Sequence, residues 1–487
     1  MSTTSRRDFL RETLAAGAAA LCVPAGAAQL QPGGGAKPGA SERVRIAITG
    51  VRWTQFVPDH RGRGSEHVAA FVEMKDVEIA ALCDVDERVI GESMKLVEAK
   101  TGKRPLYYQD FRKLLEDKSI DAVTIATPNQ WHSLQAIWAV QAGKDVYVEK
   151  PLSHTLWEGR KVVEAARKHD RIVQHGTQSR SSPALKSAFE YLRAGSLGKV
   201  KVARGLCYKR RTSIGTKSDG TPPPEADYDL WLGPAPARPF NENRFHYQWH
   251  WNWDYGNGDI GNQGIHEMDV ARWGLGKVAP PRKCISVGGR FGYRDDGTTP
   301  NTQIALFDYG DSLLIFEVRG LPTPHYRGAR IGNVFHCEKG LLVTASNYAR
   351  AFDPEGGPLA SFDGEGDHFR NFIDAVKSRR REDLAAEVLE GHLSTSLVHL
   401  ANASYRRGEP APLSKDDPFG SHAEGNESFN RMRDHLRENG VPLEGTLVNV
   451  GRLLEFDEKN ESIAGDPEAN ALLKREYRKP FVVPETV

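Results

Sequence analysis

Cysteine is scarce in this chain, with five residues among 487. The four that lie beyond the N-terminal segment, Cys83, Cys207, Cys284 and Cys337, are widely separated and form no C-x-x-C pair. That spacing implies neither a disulfide framework nor a thiolate metal site, and no metal is expected. A surplus of one charge is missing as well. Lys and Arg number 65 against 64 Asp and Glu, a formal net charge of +1. Without a basic excess to neutralise phosphates, a nucleic-acid partner is not expected. The short run Arg379 to Arg381 reads as a solvated helix end. The apolar stretch near the start, Leu14 to Ala28, is too short to span a bilayer.

That stretch nevertheless carries a message. It follows SRRDFLRE at residues 5 to 12 and ends near Ala25-Gly26-Ala27. A twin arginine, then Phe-Leu, a weakly apolar segment and a small-residue cleavage site predict a twin-arginine export signal over residues 1–28. Cleavage would leave a protein with no stable membrane insertion, exported folded into the periplasm or beyond. Cys22 is preceded by Leu21, where lipidation calls for a small residue. A Gly- and Pro-rich linker fills residues 29–42.

From Arg43 the pattern is alternating. RVRIAITG ends at Gly50, VEIAALCDVD at Asp84, IDAVTIATP at Pro128, KDVYVEKP at Lys150-Pro151, and RIVQHGTQS lies near Val173. Helical patterns stand between them over His67 to Met74, Glu87 to Lys100, Trp131 to Ala142 and Leu156 to His169. Strands alternating with helices predict βαβ units and a doubly wound parallel sheet, here over residues 43–175. Gly50, closing the first strand, lacks a Cβ and so lets backbone approach a pyrophosphate at a helix N-terminus. Asp84, closing the second, can accept the ribose hydroxyls of an adenosine and would repel a 2′-phosphate, which favours NAD over NADP. The glycine fingerprint is altered: after Gly50 the next glycines are Gly62 and Gly64, as though a loop were inserted between strand and helix. Lys150 sits where an apolar strand stops at a proline, the end of an α/β sheet at which ligands bind.

Beyond Gly176 the texture changes. A helix over Pro183 to Ala194 is followed by KVKVARGLCY, SVGGRFGY, QIALFDYGDSLLIFEVRG and RIGNVFHCEKGLLVTA, strands joined by Gly and Asp turns. These predict an α+β domain with a mostly antiparallel open sheet over 176–407, one face of which must be covered by helices or by another subunit. Helices are expected over Gly366 to Lys377 and Ala385 to Tyr405. The last segment, 408–487, is expected to wrap back over the body, with a helix from Pro467 to Tyr477. Within the domain, WHWNWDYGNGDIGNQGIHEMDVARW runs from Trp249 to Trp273. Helical spacing starts at Ile265, and Asn262 and His266, four apart, are expected on one face of that helix. His266 is a plausible general base. Trp249, Trp251 and Trp253 alternate at strand spacing and suit either a core or a sugar-stacking platform.

Taken together, the strand ending in EKP, the Thr127-Pro128 pair followed by Asn129 and His132, and the glycine-rich approach to a helical histidine resemble the Gfo/Idh/MocA family, the glucose-fructose oxidoreductase and inositol dehydrogenase relatives. The resemblance covers roughly Arg43 to Arg407, and GDHFRNFIDAV near Asp367 is similar to the exported bacterial members. It implies an NAD-dependent oxidoreductase acting on a secondary alcohol of a sugar, polyol or glycoside, with the cofactor held by Gly50, Asp84, Thr127, Pro128, Asn129, His132, Glu149 and Lys150. It further implies that Lys150 orients substrate and relays a proton, and that His266 is the base. The family usually has an aspartate where this chain has Asn262; an amide still hydrogen-bonds a hydroxyl but takes no proton, unless nearby Asp259 substitutes. The family also implies a homodimer or homotetramer. Some exported relatives retain their NAD and act as glycosidases through transient oxidation, elimination, hydration and re-reduction, which is a second expectation. A non-catalytic sugar-binding relative is a third.

Overall fold

The structure, a computed structural model, describes residues 43–53 and 62–487. The expected export signal and linker lie outside the described residues, as does most of the loop after Arg52. Six strands, β1 (Val44–Thr49), β2 (Val77–Cys83), β3 (Leu106–Tyr108), β4 (Ala122–Ile125), β5 (Asp145–Val148) and β6 (Val173–His175), form a sheet in the order β3-β2-β1-β4-β5-β6, with every pair parallel. Both β4 and β5 are buried throughout, because helices cover both faces. Their sequences therefore run continuously apolar instead of alternating. The connecting helices are α1 (Arg63–Phe71), α2 (Gly91–Thr101), α3 (Phe111–Glu116), α4 (Asn129–Gln141) and α5 (Leu156–Lys168). Strand β3 and helix α3 are additions to the sequence reading. Three and six residues are too few to display a period.

The strand order turns back between β1 and β4, so a crevice opens at their carboxyl ends. Helix α5 starts with a capping box: the Thr155 hydroxyl accepts the Glu158 N–H while the Glu158 carboxylate accepts the Thr155 N–H.

After α6 (Pro183–Arg193), a mixed sheet begins with β7 (Val200–Cys207). Three helices, α7 (Tyr228–Leu232), α8 (Gly258–Asn262) and α9 (Gly264–Gly274), come next, and then β8 (Lys283–Gly289), β9 (Thr302–Asp308), β10 (Leu313–Arg319), β11 (Ile331–Cys337), β12 (Gly340–Thr344), β13 (Tyr348–Phe352) and β14 (Pro358–Asp363). Helices α10 (His368–Ser378) and α11 (Val388–Arg406) precede β15 (Glu409–Pro412), α12 (Ala423–Glu438), β16 (Leu447–Val450), β17 (Leu454–Asp457), β18 (Ser462–Ile463) and α13 (Pro467–Leu472). The sheet order is β14-β13-β12-β11-β7-β10-β9-β8-β16-β15, with β17 also on β8 and β18 on β17. All pairs are antiparallel except β7 with β10. One face packs on α6, α9 and α11 through Phe189, Met268, Phe316, Phe335 and Leu397.

The segment after Arg407 does more than wrap. It adds β15 and β16 to the sheet, and α12 covers the opposite sheet face, with Phe429, Met432 and Leu436 against Val287, Ile304, Leu306 and Ile315. Helix α12 escapes the sequence reading because these three apolar side chains are set among charges. The expected helix to Tyr477 ends at Leu472 instead. The chain then returns to the first domain, where Phe481, Val483 and Val487 enter the core and Phe481 meets Trp131 at 5.3 Å.

Two further expectations are corrected. Trp249, Trp251 and Trp253 are on no strand: residues Gln248–Trp251 form a short 3₁₀ turn with Trp249 and Trp251 buried. Asn262 and His266 do not share one helix. Asn262 ends α8, and the ladder breaks at Gln263, whose carbonyl accepts the His266 N–H.

Candidate active site

The two domains enclose a cleft of about 730 Å³ at the carboxyl ends of the parallel strands, within the range of small-molecule sites. All ten residues singled out from sequence line it: Gly50, Asp84, Thr127, Pro128, Asn129, His132, Glu149, Lys150, Asn262 and His266.

At the crevice, Gly50 has φ +77°, and a Cβ there would lie 2.4 Å from the Ala126 carbonyl oxygen. A Cβ on Gly64 would lie 2.3 Å from the Gly50 carbonyl oxygen. Gly62 caps α1 and donates its N–H to the Arg52 carbonyl at 3.0 Å. The interrupted glycine fingerprint is thus reassembled in space, with the inserted loop closed at its base between Arg52 and Gly62. Asp84 accepts the N–H of Val51 at 3.0 Å and that of Asp86 at 3.1 Å, one on each carboxylate oxygen. Burial pushes its carboxyl up to about 7. A half-buried carboxylate with spare lone pairs beside a glycine cradle is the donor-acceptor set that an adenosine ribose and pyrophosphate fit.

Four of the predicted cofactor residues turn out to be held by protein groups. Thr127 donates its hydroxyl to Gln135 at 2.8 Å. Pro128 caps α4. Asn129, buried, donates to the Asn257 side chain at 2.9 Å across the domain boundary. The ring nitrogens of His132 face the carbonyl oxygens of Pro151 at 2.6 Å and Thr127 at 2.7 Å. His132 therefore ties together the two loops that border the cleft.

Glu149 is buried, and its Oε1 accepts from Arg63 at 3.3 Å, His67 at 3.2 Å and Gln178 at 3.0 Å. Burial alone would raise its carboxyl, but Arg63 and His67 hold it well below the usual range. The Lys150–Pro151 peptide is cis, and Lys150 Nζ donates to the Asn262 carbonyl at 2.8 Å. That carbonyl is available because the helix ladder breaks at Gln263. The Asn262 side-chain oxygen lies 3.5 Å from the same Nζ. Burial lowers Lys150 to about 8. Burial, reinforced by Lys150, lowers His266 to about 3. Asp259 does not replace the missing carboxylate: Arg211 holds it by two bonds, at 2.9 Å and 2.6 Å, away from the cleft lining.

Sequence reasoning missed Arg63, Gln178, Lys209, Gln263 and His250, which share this lining. Arg63 stands between Gly62 and Gly64, and His250 within the aromatic tract, so both lay in stretches already marked.

With this geometry in view, comparison with known proteins is decisive. Residues 45–177 match "Oxidoreductase family, NAD-binding Rossmann fold" and residues 199–439 match "Oxidoreductase family, C-terminal alpha/beta domain". The chain belongs to the Gfo/Idh/MocA oxidoreductase family. Its NAD-binding domain is the parallel sheet described above. Among curated members it is similar to a glycosyl hydrolase family 109 protein of Shewanella pealeana, 36% identical over 129 residues, and to an alpha-N-acetylgalactosaminidase of Shewanella oneidensis, 31% identical over 129 residues. Each of those two alignments spans 26% of this chain and 26% of the relative. A glycosyl hydrolase family 109 protein of Stenotrophomonas maltophilia is 25% identical over 453 residues, 85% of this chain and 89% of that protein. Among solved structures, the WlbA dehydrogenase of Bordetella pertussis, in complex with NADH and UDP-GlcNAcA, superposes with a TM-score of 0.54 at 18% identity, covering 74% of this chain and 97% of that one. GenD2 from gentamicin A biosynthesis, in complex with NAD, gives 0.52 at 19% identity over 78% and 96%. These two likenesses show the shared fold.

Proposed function

We propose that this protein is an exported NAD-dependent oxidoreductase that moves hydride between a secondary alcohol of a sugar, polyol or glycoside and the nicotinamide. The observation that carries the reading is the convergence of Lys150, Asn262 and His266 at the mouth of the glycine and Asp84 cradle. NAD, when bound, supplies the hydride acceptor. Gly50 and Gly64, which pack where only hydrogen fits against backbone, would shape the bend that holds the pyrophosphate, and Asp84 would receive the ribose hydroxyls. Lys150, anchored on the Asn262 carbonyl, points its ammonium at the alcohol oxygen and exchanges a proton near neutral pH. His266, neutral, accepts the hydroxyl hydrogen bond and aims the proton toward Lys150.

The relatives named as glycosyl hydrolases support a second reading, in which NAD stays bound and oxidation is transient. Purifying the protein without added cofactor, denaturing it and assaying the supernatant for NAD and NADH separates the two. Stoichiometric release supports the closed cycle. Little release, with saturable binding of added NAD, supports net dehydrogenation. No binding by either route sinks the cofactor site.

Residues 1–28 support export of the folded protein by the twin-arginine route to the periplasm or beyond; replacing Arg6 and Arg7 by Lys should retain it in the cytoplasm on fractionation. No helix among the described residues is long and apolar enough to cross a membrane. Of the expected homodimer or homotetramer, assembly through the open sheet face has α12 in its way. We place the contact on another surface, and light scattering reads the mass.

A further inference from the structure

The cleft wall carries a cation that no protein group engages. Strand β7 sends alternate side chains to opposite faces of its sheet. Arg204 and Tyr208 reach Glu317 on the side that α12 covers. On the other side Gly205 packs against Glu267, and Cys207 joins Ile265 and Met268 in the core beneath α9. Pairing continues past Cys207, since the Tyr208 N–H donates to the Arg330 carbonyl at 2.9 Å. Lys209 follows in the second set and emerges in the cleft, on the face that carries the helix of His266. Its charge is felt among the reacting groups: after burial and Arg63, the Lys209 ammonium further lowers Lys150, and it opposes the burial that raises the Glu267 carboxyl.

The other cations of this lining are engaged. Arg63 is held by Glu149 and Glu66, Arg52 donates to the Trp53 carbonyl at 2.9 Å, and Lys150 donates to the Asn262 carbonyl. Arg211, two residues beyond Lys209, takes Asp259 for itself. Lys209 is half-buried, and its Nζ has no hydrogen-bond or ion-pair partner among the described residues. Two ammonium groups acting on each other in a partly dehydrated cleft are unfavourable until an anion joins them. Resting on the carbohydrate reading above, we propose that Lys209 selects sugars carrying a singly charged oxyanion, a carboxylate or a sulfate ester, beside the hydroxyl that Lys150 and His266 address. A single ammonium matches a monoanion. A phosphate dianion calls for an arginine fork, and Arg63 and Arg211 are already committed to carboxylates of the protein.

The test is calorimetric binding to the full chain saturated with NADH, where no hydride acceptor is present and the ligands stay unchanged. The ligands are methyl glucoside and methyl galactoside, methyl glucuronide and methyl galacturonide, and methyl glucoside 6-sulfate. The native protein should hold at least one anionic sugar about tenfold or more tighter than its neutral parent, the scale of one charge-assisted hydrogen bond. Preference for the uronide or the sulfate tells which oxyanion the site takes. In Lys209→Gln the preference should vanish, Lys209→Arg should keep it, and Lys209→Glu should favour methyl 6-amino-6-deoxyglucoside instead. Native protein that binds neutral and anionic sugars alike overturns the proposal and leaves the carbohydrate reading standing. No binding of any of these sugars overturns that reading, and the proposal falls with it. An anionic preference that survives in Lys209→Gln, or a loss of neutral and anionic binding together, also overturns it. Salt gives a check that needs no variant: the native preference should shrink as ionic strength rises, and a preference that salt leaves unmoved excludes a charge as its origin.

Discussion

At neutral pH the Lys150 ammonium can lose its proton, whereas the His266 imidazole does not hold one. Both shifts start from burial, which disfavours the charged form, and the Lys150 charge adds to the second. Alcohol oxidation needs the free base, so its rate should rise as pH passes through about 8, and ketone reduction should fall over the same range. Lys150→Arg keeps the charge but cannot deprotonate; we expect the limb to vanish and the rate to drop by about 10² or more. Asn262→Asp places a carboxylate where an oxygen now lies 3.5 Å from Nζ, which stabilises the ammonium and should move the limb upward. A pH–rate profile of each variant checks both. For Asp84, the folded pKa lies above the unfolded one, so the native state binds the extra proton. Stability is therefore lost as pH rises from the ordinary carboxylate range through about 7. Asp84→Asn should weaken NAD binding by about tenfold to a hundredfold, through loss of charge-assisted hydrogen bonds, as measured by calorimetry. Lys150, His266 and Asp84 were legible in the sequence because each ends or begins an element.

Among the elements, two interruptions position the chemistry. The break between α8 and α9 frees the Asn262 carbonyl for Lys150, and an unbroken helix over the same residues would have consumed it. Spacing of four placed Asn262 and His266 together correctly, but for a reason the structure replaces. The other interruption separates Gly50 from Gly62 and Gly64. Sequence distance hid the fingerprint, yet the Gly62 to Arg52 bond closes the insertion and returns Gly64 to the place where only hydrogen fits against Gly50. Gly64→Ala should lower Tm and abolish NAD binding, because the clash is with backbone and no side chain can yield. A thermal melt with and without NAD tests this: a cofactor-dependent shift equal to that of the native protein would refute it.

Across the molecule, α12 decides what the open sheet presents. Glu317 is completely buried beneath it; burial opposes its charge, but Arg431, Arg319 and Arg204 hold its carboxyl well below the usual range. Arg431 comes from α12 and spans to Glu317 with a 2.9 Å bond to Oε2. Glu317→Gln leaves buried guanidinium groups without their counter-charge, and we expect a loss of about 3–5 kcal/mol in denaturant unfolding. Light scattering should then show association through the uncovered apolar strands.

The sequence by itself determined the doubly wound domain, its strand ends, the second sheet and the family, because strand and helix periods and short motifs are local properties of the chain. The tertiary structure alone decided which carbonyl anchors Lys150, that Asp259 belongs to Arg211, that His132 clamps loops, and that α12 covers the sheet. Those outcomes depend on groups far apart in sequence competing for the same hydrogen bonds and the same buried surface, and no local pattern records which of them wins.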